Sequence, residues 1–154
     1  MSDAERVWFR LMRLDARIRL AMTARLKRVG LSIAQCDVLT TLTEREGMSQ
    51  QDLAQRLYVT KGNISGLIDR LEAAGLVERR SIASDRRSHA IYLTPDGHSA
   101  ARAGIQAQSI FVADSLGQLG ETDLVDFERV ILRLRDTVRS LQEEARSGAS
   151  QTAP

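Results

Sequence analysis

The residues of this chain best able to do chemistry are four arginines in one short segment, residues 79–89. The segment reads R-R-S-I-A-S-D-R-R-S-H and contains a single acid, Asp85. The formal net charge of the whole chain is only +2, so this positive charge is local. A local positive field is typical of a surface that contacts a phosphate backbone. The cluster therefore predicts binding to nucleic acid.

Other residue types that could carry chemistry do not occur at a useful spacing. The chain has two histidines, His89 and His98, and one cysteine, Cys36. These are too few for a zinc site, which needs three or four nitrogen and sulfur ligands. The sequence also lacks a recognisable pair of catalytic carboxylates, a nucleophile with a base, or a phosphate loop. We therefore expect no enzyme activity, no metal site and no cofactor, and a single cysteine excludes an intrachain disulfide.

The residues around the arginine cluster predict a β-hairpin that positions it. Two strand-like runs, 77–82 and 89–94, enclose a tip at residues 83–88. Arg86 and Arg87 are predicted at the tip of this hairpin, and Arg79 and Arg80 at its base. Asp85 can hold the guanidinium of Arg87 in one pose through a charge-assisted pair. A positioned arginine suits a narrow minor groove, whose negative potential attracts it.

The residues before the hairpin predict a helix-turn-helix. One helix is predicted from Thr60 to Leu76, with Thr60 as its N-cap and Gly75 as its stop. A shorter helix begins after Ser49, which forms a capping box with Asp52. In a helix-turn-helix the second helix lies in the major groove of DNA. The predicted DNA contacts on both helices and the hairpin are Ser49, Gln50, Thr60, Lys61, Asn63, Ser65, Arg70, Arg79, Asp85, Arg86 and Arg87.

Some of these residues have a structural alternative. Arg86 and Arg87 could form a solvated hairpin tip, and Asn63 and Ser65 could be exposed helix residues without base contacts. Asp69 and Arg70 could brace the second helix against the hairpin instead of touching DNA.

Amphipathic helices are predicted on both sides of this module. The first runs from Asp3 to about Arg28, and the last from Glu121 to about Ala145. The last helix has a coiled-coil-like seam with apolar residues in alternating steps of three and four, Leu124, Phe127, Ile131, Leu134, Val138 and Leu141. One small core cannot easily cover both helices, so we expect a two-fold homodimer in which they interlock. The alternative is that both pack within one subunit.

Two further helices complete the predicted elements. One follows Ser32, which forms a capping box with Gln35, and runs to about Arg45. The other has Thr94 as its cap and Pro95 at its first position, and runs to about Gly117.

At these residues the chain resembles the MarR family of bacterial winged-helix transcription regulators. The resemblance is carried by three motifs, L-A-Q-R-L-Y-V-T at 53–60, L-E-A-A-G-L-V-E-R at 71–79 and D-R-R-S-H-A-I-Y-L-T-P-D-G at 85–97. It implies a mainly α fold with a small β-hairpin wing, that is, a winged helix-turn-helix with N- and C-terminal dimerisation helices. The expected organisation is a DNA-binding domain at 31–96, dimerisation helices at 1–30 and 97–146, and a disordered tail at 147–154.

The resemblance also assigns roles to individual residues. The family's wing acid and arginine fall on Asp85 and Arg87. Its usual recognition-helix contacts fall on Thr60, Lys61, Asn63 and Ser65. The chain departs from the family at Gly62 and Gly66, where polar or larger residues are common.

A small-molecule site is also implied by the family. In relatives, small anionic aromatic ligands often bind in the crevice between the dimerisation helices and the winged helix. The first helix carries a basic stripe with aromatic residues near its start, and the candidate ligand-binding residues are Trp8, Arg10, Arg13 and Arg17. One of these arginines would hold a carboxylate, and Trp8 or Phe9 would face the ring. The alternative is a solvated face of the kind that Asp15 and Arg19 can form.

Taken together, these patterns predict a DNA-binding transcription regulator, with repression favoured, that binds a palindromic operator as a homodimer and responds to a small effector such as an aromatic acid. Two alternatives remain, a regulator that senses oxidants through Cys36, and a winged helix used for protein contacts. Cys36 lies beside Val38 and Leu39 and is most simply a core residue. The sequence has no membrane span and no signal peptide, so we expect a cytoplasmic protein.

Overall fold

The computed structural model describes residues 2–82 and 85–151, without the side chains of residues 82, 85–88, 146 and 148–151. This part of the chain forms six α-helices, three β-strands and one short 3-10 helix at Leu116–Gln118. The elements in chain order are α1 Asp3–Lys27, α2 Ile33–Glu44, β1 Met48–Ser49, α3 Gln50–Arg56, α4 Lys61–Ala73, β2 Val77–Ile82, β3 Asp85–Leu93, α5 Pro95–Asp114 and α6 Glu121–Gln151. The chain divides into two compact units between Phe111 and Val112. The mainly helical fold with a small antiparallel sheet is the predicted one.

The helices begin where their capping residues predicted. The Ser32 and Ser49 hydroxyls accept the backbone N–H of Gln35 and Asp52, and both predicted capping boxes form. Thr60 caps α4 by accepting the N–H of Asn63 at 3.3 Å. Each cap satisfies a donor that the first turn of a helix leaves without a partner. At the other end of α4, Gly75 has φ +71°, a left-handed conformation that stops the helix at low cost because glycine has no Cβ.

The hydrophobic core lies in the first unit, around α2, α3, α4 and the sheet. The predicted inner face of α4 is buried, namely Ile64, Leu67, Ile68 and Leu71. Each large side chain buried in this way stabilises the fold by roughly 1.5–3 kcal/mol. Helix α1 contributes only Met22 and Leu26 to this core. The core therefore holds the helix-turn-helix, whereas most of the apolar stripe of α1 stays outside it.

The sheet contains one strand that the sequence did not predict. Strand order is β1-β3-β2, all antiparallel, with Met48 opposite Ile91 and Val77 opposite Leu93. Strand β1 has only two residues, too few for any alternation of apolar and polar side chains to show. It forms because the edge of β3 offers backbone partners just before α3 begins.

The predicted hairpin tip at 83–88 was too long. Strand β3 begins at Asp85, not at His89, and Ile82 pairs with Asp85. A register irregularity between Ser81 and Ile82 accompanies this pairing, and such irregularities interrupt the ladder locally and increase its twist. Residues 83 and 84 lie outside the described part. The backbone of Arg86 and Arg87 therefore belongs to a strand and not to a loop.

Two helix ends also differ from prediction. Helix α5 ends at Asp114, before the predicted Gly117, and the 3-10 turn follows. Helix α6 continues to Gln151, past the predicted end near Ala145, so the predicted disordered tail is wrong for residues 147–151. The sequence has no proline between Pro95 and Pro154, and an interior glycine such as Gly148 costs a helix only about 1 kcal/mol without stopping it.

Residue Tyr58 adopts an uncommon backbone conformation in the turn between α3 and α4. Its φ is +54°, and its side chain is 94% exposed. A left-handed conformation costs a non-glycine residue because Cβ crowds the following carbonyl oxygen. The exposed ring gains no packing that could offset this cost.

We therefore expect Tyr58→Gly to raise the free energy of unfolding by about 0.5–1 kcal/mol, the relief of strain minus the extra entropy of glycine in the unfolded chain. Urea denaturation at a fixed protein concentration measures it. Tyr58→Ala is the matched control, since it removes the same ring but keeps Cβ, and it should bring no gain. Equal stability of the two variants would contradict backbone strain at Tyr58.

Candidate nucleic-acid interface

The outer face of α4 is polar and free to meet a partner. Its buried face anchors the helix, and Lys61, Asn63 and Arg70 lie exposed on the other side, with Ser65 half-buried. Among the described residues, the side chains of Lys61, Asn63 and Arg70 have no hydrogen-bond or ion-pair partner. Amide and cationic groups held on a rigid helix without internal partners can bond to base edges or phosphates. The structure thus brings four of the predicted contacts onto one surface.

The predicted contacts at the helix starts have a different position. The Ser49 hydroxyl accepts the Asp52 N–H at 3.1 Å and donates to the Asp52 carboxylate at 2.8 Å. The Thr60 hydroxyl is likewise occupied by its cap. These two side chains set where α3 and α4 begin, and Gln50, the residue after Ser49, is half-buried.

Two glycines leave a shallow strip on the outer face of α4. A Cβ added at Gly62 would meet nothing within 4 Å, and one at Gly66 would meet only a guanidinium nitrogen of Arg70 at 3.6 Å. Neither glycine has a positive φ, so neither the backbone nor the packing of this chain requires it. The strip lets the helix backbone approach a surface more closely than side chains would allow.

Arg79 serves as a brace between α4 and the wing. Its guanidinium pairs with Asp69 and Glu72 of α4, its backbone N–H donates to the Glu72 carboxylate at 3.3 Å, and its side chain is only 18% exposed. The sequence placed Arg79 among the DNA contacts, but its side chain faces inward onto α4. Asp69 thus braces α4 against the hairpin, which was the alternative to a DNA contact, whereas Arg70 has no partner among the described residues. Alternation along β2 explains the result, since Arg79 and Val77 share the inner face of the sheet.

Arg80 lies on the opposite face of the same strand. Its guanidinium stacks 4.1 Å from the centre of the Tyr92 ring and pairs with Glu78. The Tyr92 hydroxyl would lie 2.9 Å from a Cβ at Gly47, whose φ is +74°. Glycine at this position therefore gives the ring room and allows the left-handed turn. Sequence analysis put Arg80 at the base of the hairpin, and the structure adds the stacking that holds it.

The side chains of Asp85, Arg86 and Arg87 lie outside the described residues. Their backbone is part of β3, next to the paired end of β2. Their predicted contacts with DNA therefore stay predictions.

The predicted ligand residues of α1 are all exposed. Trp8, Arg10, Arg13 and Arg17 reach solvent within the first unit, and no described acid pairs with these three arginines. A cleft of about 240 Å³ lies elsewhere, between the end of α1 and α5, and its lining is Arg25, Arg28, Val29, Ala103, Gln106, Ala107 and Ile110. The sequence missed this cleft because it forms only when two distant helices pack.

Cys36 is fully buried in the core. Burial, with a smaller contribution from the neighbouring Asp37 carboxylate, raises the pKa of the Cys36 thiol to about 11. Its sulfur would lie 2.6 Å from a Cβ at Gly104, so α5 packs directly over it. A reactive cysteine needs a lowered pKa and exposure, so this environment favours the predicted core role.

No cluster of three potential metal-binding side chains occurs in the described part of the chain. Within residues 2–82 and 85–151, no helix has the length and apolar content that a membrane span requires.

Comparison with known proteins identifies the family. A sequence model of the MarR family matches residues 29–88, which include the helix-turn-helix and the start of the wing. The transcriptional activatory protein BadR of Rhodopseudomonas palustris is 30% identical over 157 aligned positions, covering 99% of this chain and 88% of BadR. The chain belongs to the MarR family.

Solved structures agree with this assignment. AbsC, a MarR-family regulator of Streptomyces coelicolor, superimposes with a TM-score of 0.83 at 26% identity, covering 91% of this chain and 97% of AbsC. Streptococcus pneumoniae FabT, solved in complex with DNA, shares the fold with a TM-score of 0.79 at 19% identity, covering 90% and 99%. As a MarR-family member the protein is a DNA-binding transcription regulator with a winged helix, and not an enzyme.

The brace predicts a large effect of Arg79 on stability. Arg79→Ala should lower the free energy of unfolding by about 1–2 kcal/mol, because it removes charge-assisted bonds of a mostly buried guanidinium whose partners are exposed. Arg129→Ala is the control, since Arg129 pairs with Asp126 at 2.8 Å on an exposed surface and should contribute under about 0.5 kcal/mol. Urea denaturation compares them, and an equal loss would argue against the brace.

Proposed function

We propose that this MarR-family regulator binds a palindromic operator as a homodimer, with α4 of each subunit reading one half-site. The observation that carries the proposal is the outer face of α4, where Lys61, Asn63 and Arg70 lack partners among the described residues. Arg86 and Arg87 of the wing would contact the adjacent backbone or minor groove, where a cationic side chain is attracted by phosphate charge. FabT, a neighbour in fold, has been solved with DNA, which supports the same use of the winged helix here.

The homodimer is supported by apolar surface that a single chain leaves exposed. In α1, Val7, Trp8 and Phe9 are all more than half exposed. In α6 the predicted seam residues are exposed or half-buried, namely Leu124, Phe127, Ile131, Leu134, Val138 and Leu141. Large exposed apolar patches on a soluble protein mark surfaces that bind a partner. A second copy that presents the same helices would cover it and would relate two recognition helices by two-fold symmetry.

Such a dimer binds its operator when the distance between its two α4 helices matches the distance between successive major grooves. Two recognition helices must enter successive major grooves, about 34 Å apart. A ligand that binds more tightly to a dimer with another spacing lowers DNA affinity by that difference in affinity.

The direction of regulation has two candidates. Repression follows if the occupied operator blocks a promoter, and it is the outcome that we favour from the sequence. Activation is favoured by one observation, that BadR, 30% identical over nearly the whole chain, is named a transcriptional activatory protein.

We also propose a small anionic aromatic effector that binds at the basic stripe of α1. Its support is that Trp8, Arg10, Arg13 and Arg17 are exposed without acid partners in the described chain. A cation beside an aromatic and apolar surface is a usual composition for such a site. Oxidant sensing through Cys36 is the weaker alternative, because the thiol is buried and its pKa is raised.

DNA recognition is tested with fragments selected from the source genome. We expect binding of two protomers per fragment, with log affinity falling against log salt by about 0.9 per neutralised phosphate. Arg87→Ala should weaken binding to all sequences, whereas Asn63→Ala should relax discrimination at particular base pairs by about 1–3 kcal/mol each. Arg102→Ala, which removes a positive charge on α5, is the control. A flat salt response would overturn the proposal, and a uniform loss in Asn63→Ala would mean that α4 docks without reading bases.

The effector proposal is tested by titrating the protein–operator complex with benzoate and, separately, with hydrogen peroxide. We expect benzoate to release the parent and Cys36→Ser proteins but to act less on Arg10→Ala and Arg17→Ala. Arg102→Ala again serves as the charge control. Release by peroxide alone, lost in Cys36→Ser, would replace the proposal with redox sensing.

A further inference from the structure

The end of the recognition helix and the start of α5 meet at a single hydroxyl. Helix α4 ends at Ala73, and the chain turns at Gly75, whose N–H donates to Glu72 O while Leu76 N–H donates to Leu71 O, both at 2.9 Å. This pattern satisfies the last carbonyls of the helix but leaves the Gly75 carbonyl pointing beyond it. The Thr94 hydroxyl donates to that carbonyl at 2.6 Å.

The same hydroxyl caps α5. Thr94 Oγ1 accepts the backbone N–H of Gly97 at 3.0 Å, and the Thr94 carbonyl accepts the N–H of His98 at 2.9 Å. One oxygen atom, Thr94 Oγ1, therefore joins the turn that ends α4 to the first turn of α5. Thr94 is thus both an N-cap and a link between two helices.

Close backbone packing reinforces this link. Thr94 N–H donates to Leu76 O at 3.1 Å, and a Cβ at Gly97 would lie only 1.9 Å from the same oxygen. No side chain fits between the first turn of α5 and the backbone of Leu76. Since the wing begins at Val77 and ends at Leu93, the wing is also anchored at this junction.

We propose that Thr94 is a positioning residue for DNA binding, whose hydroxyl fixes the recognition helix and the wing base to α5. The inference rests on DNA binding through α4 and goes beyond it, because it names what sets the angle of that helix. A rotation of α5 is then passed to α4 through direct contacts at the junction. Without the hydroxyl bond to Gly75, α4 keeps its fold but loses its fixed orientation, and DNA binding must supply the ordering.

The test separates capping from linking. Thr94→Asp keeps an acceptor for the Gly97 N–H and remains a good N-cap, but an ionised carboxylate cannot donate to Gly75. We expect it to lower operator affinity about tenfold, the scale of losing a hydrogen bond and leaving a carbonyl facing a like charge. Thr94→Ser keeps both bonds and should stay within about twofold of the parent. Ser32→Asp places the same charge at the N-cap of α2 and should also bind normally.

The outcomes divide clearly. A loss in Thr94→Asp with normal binding in Thr94→Ser and Ser32→Asp supports the proposal. Normal operator binding by Thr94→Asp would overturn it, because Thr94 would then act only as an N-cap. An equal loss of affinity in Ser32→Asp would also overturn it, because the effect would then come from the added charge.

Amide hydrogen exchange gives a second readout that needs no DNA. In Thr94→Asp the N–H groups of Gly75 and Leu76 should exchange faster, while that of Gly97 stays protected by the retained cap. Unchanged exchange rates at Gly75 and Leu76 would contradict the proposed link between Thr94 and Gly75, and this result does not depend on an operator being available. Failure of the parent to bind any DNA would instead count against the proposed function.

Discussion

The whole structure depends on one helix that must be buried on one side and left open on the other. Ile64, Ile68 and Leu71 fix α4 in the core, because burial of such side chains is the largest favourable term available to a small domain. The opposite face has no apolar packing partner among the described residues, and it carries polar or small side chains. The hydrophobic core therefore determines which residues of α4 can meet DNA.

Burial alone does not determine the direction in which such a helix points, because the hydrophobic effect has no preferred direction. Polar contacts supply that direction at both sides of α4. Arg79 joins α4 to β2 through Asp69 and Glu72, and Thr94 joins its end to α5. These bonds have defined geometry, so they hold the helix and the wing as one reading surface.

The terminal helices α1 and α6 differ from α4 because most of their apolar side chains remain exposed in a single chain. Most of their apolar residues lie outside the core of the first unit, to which α1 contributes only two buried side chains, Met22 and Leu26. Surface of this kind is costly to leave in water, and the proposed second copy would cover it. In the proposed dimer both DNA-binding units would depend on the same helices, and the proposed ligand at α1 would change operator binding without contacting DNA.

The sequence by itself determined the elements that depend on local chemistry. Serine and threonine caps, the stop at Gly75 and the apolar spacing of α4 act within a few residues, so the bounds of α2, α3 and α4 and the mainly helical winged fold could be predicted. Strand β1 and the early start of β3 could not, since they depend on pairing with distant strands. The predicted end of α6 was too early because the small, polar residues after Ala145 were interpreted as disordered, although they do not stop a helix. In the candidate site the sequence identified the polar face of α4. It could not predict that Arg79 faces inward and Arg80 outward, because both arginines lie on one strand and only the folded sheet decides which of its faces meets α4. The tertiary structure likewise decided that the Thr94 hydroxyl serves two helices, since its second partner, Gly75, lies on the far side of the wing in sequence and reaches it only when the hairpin closes.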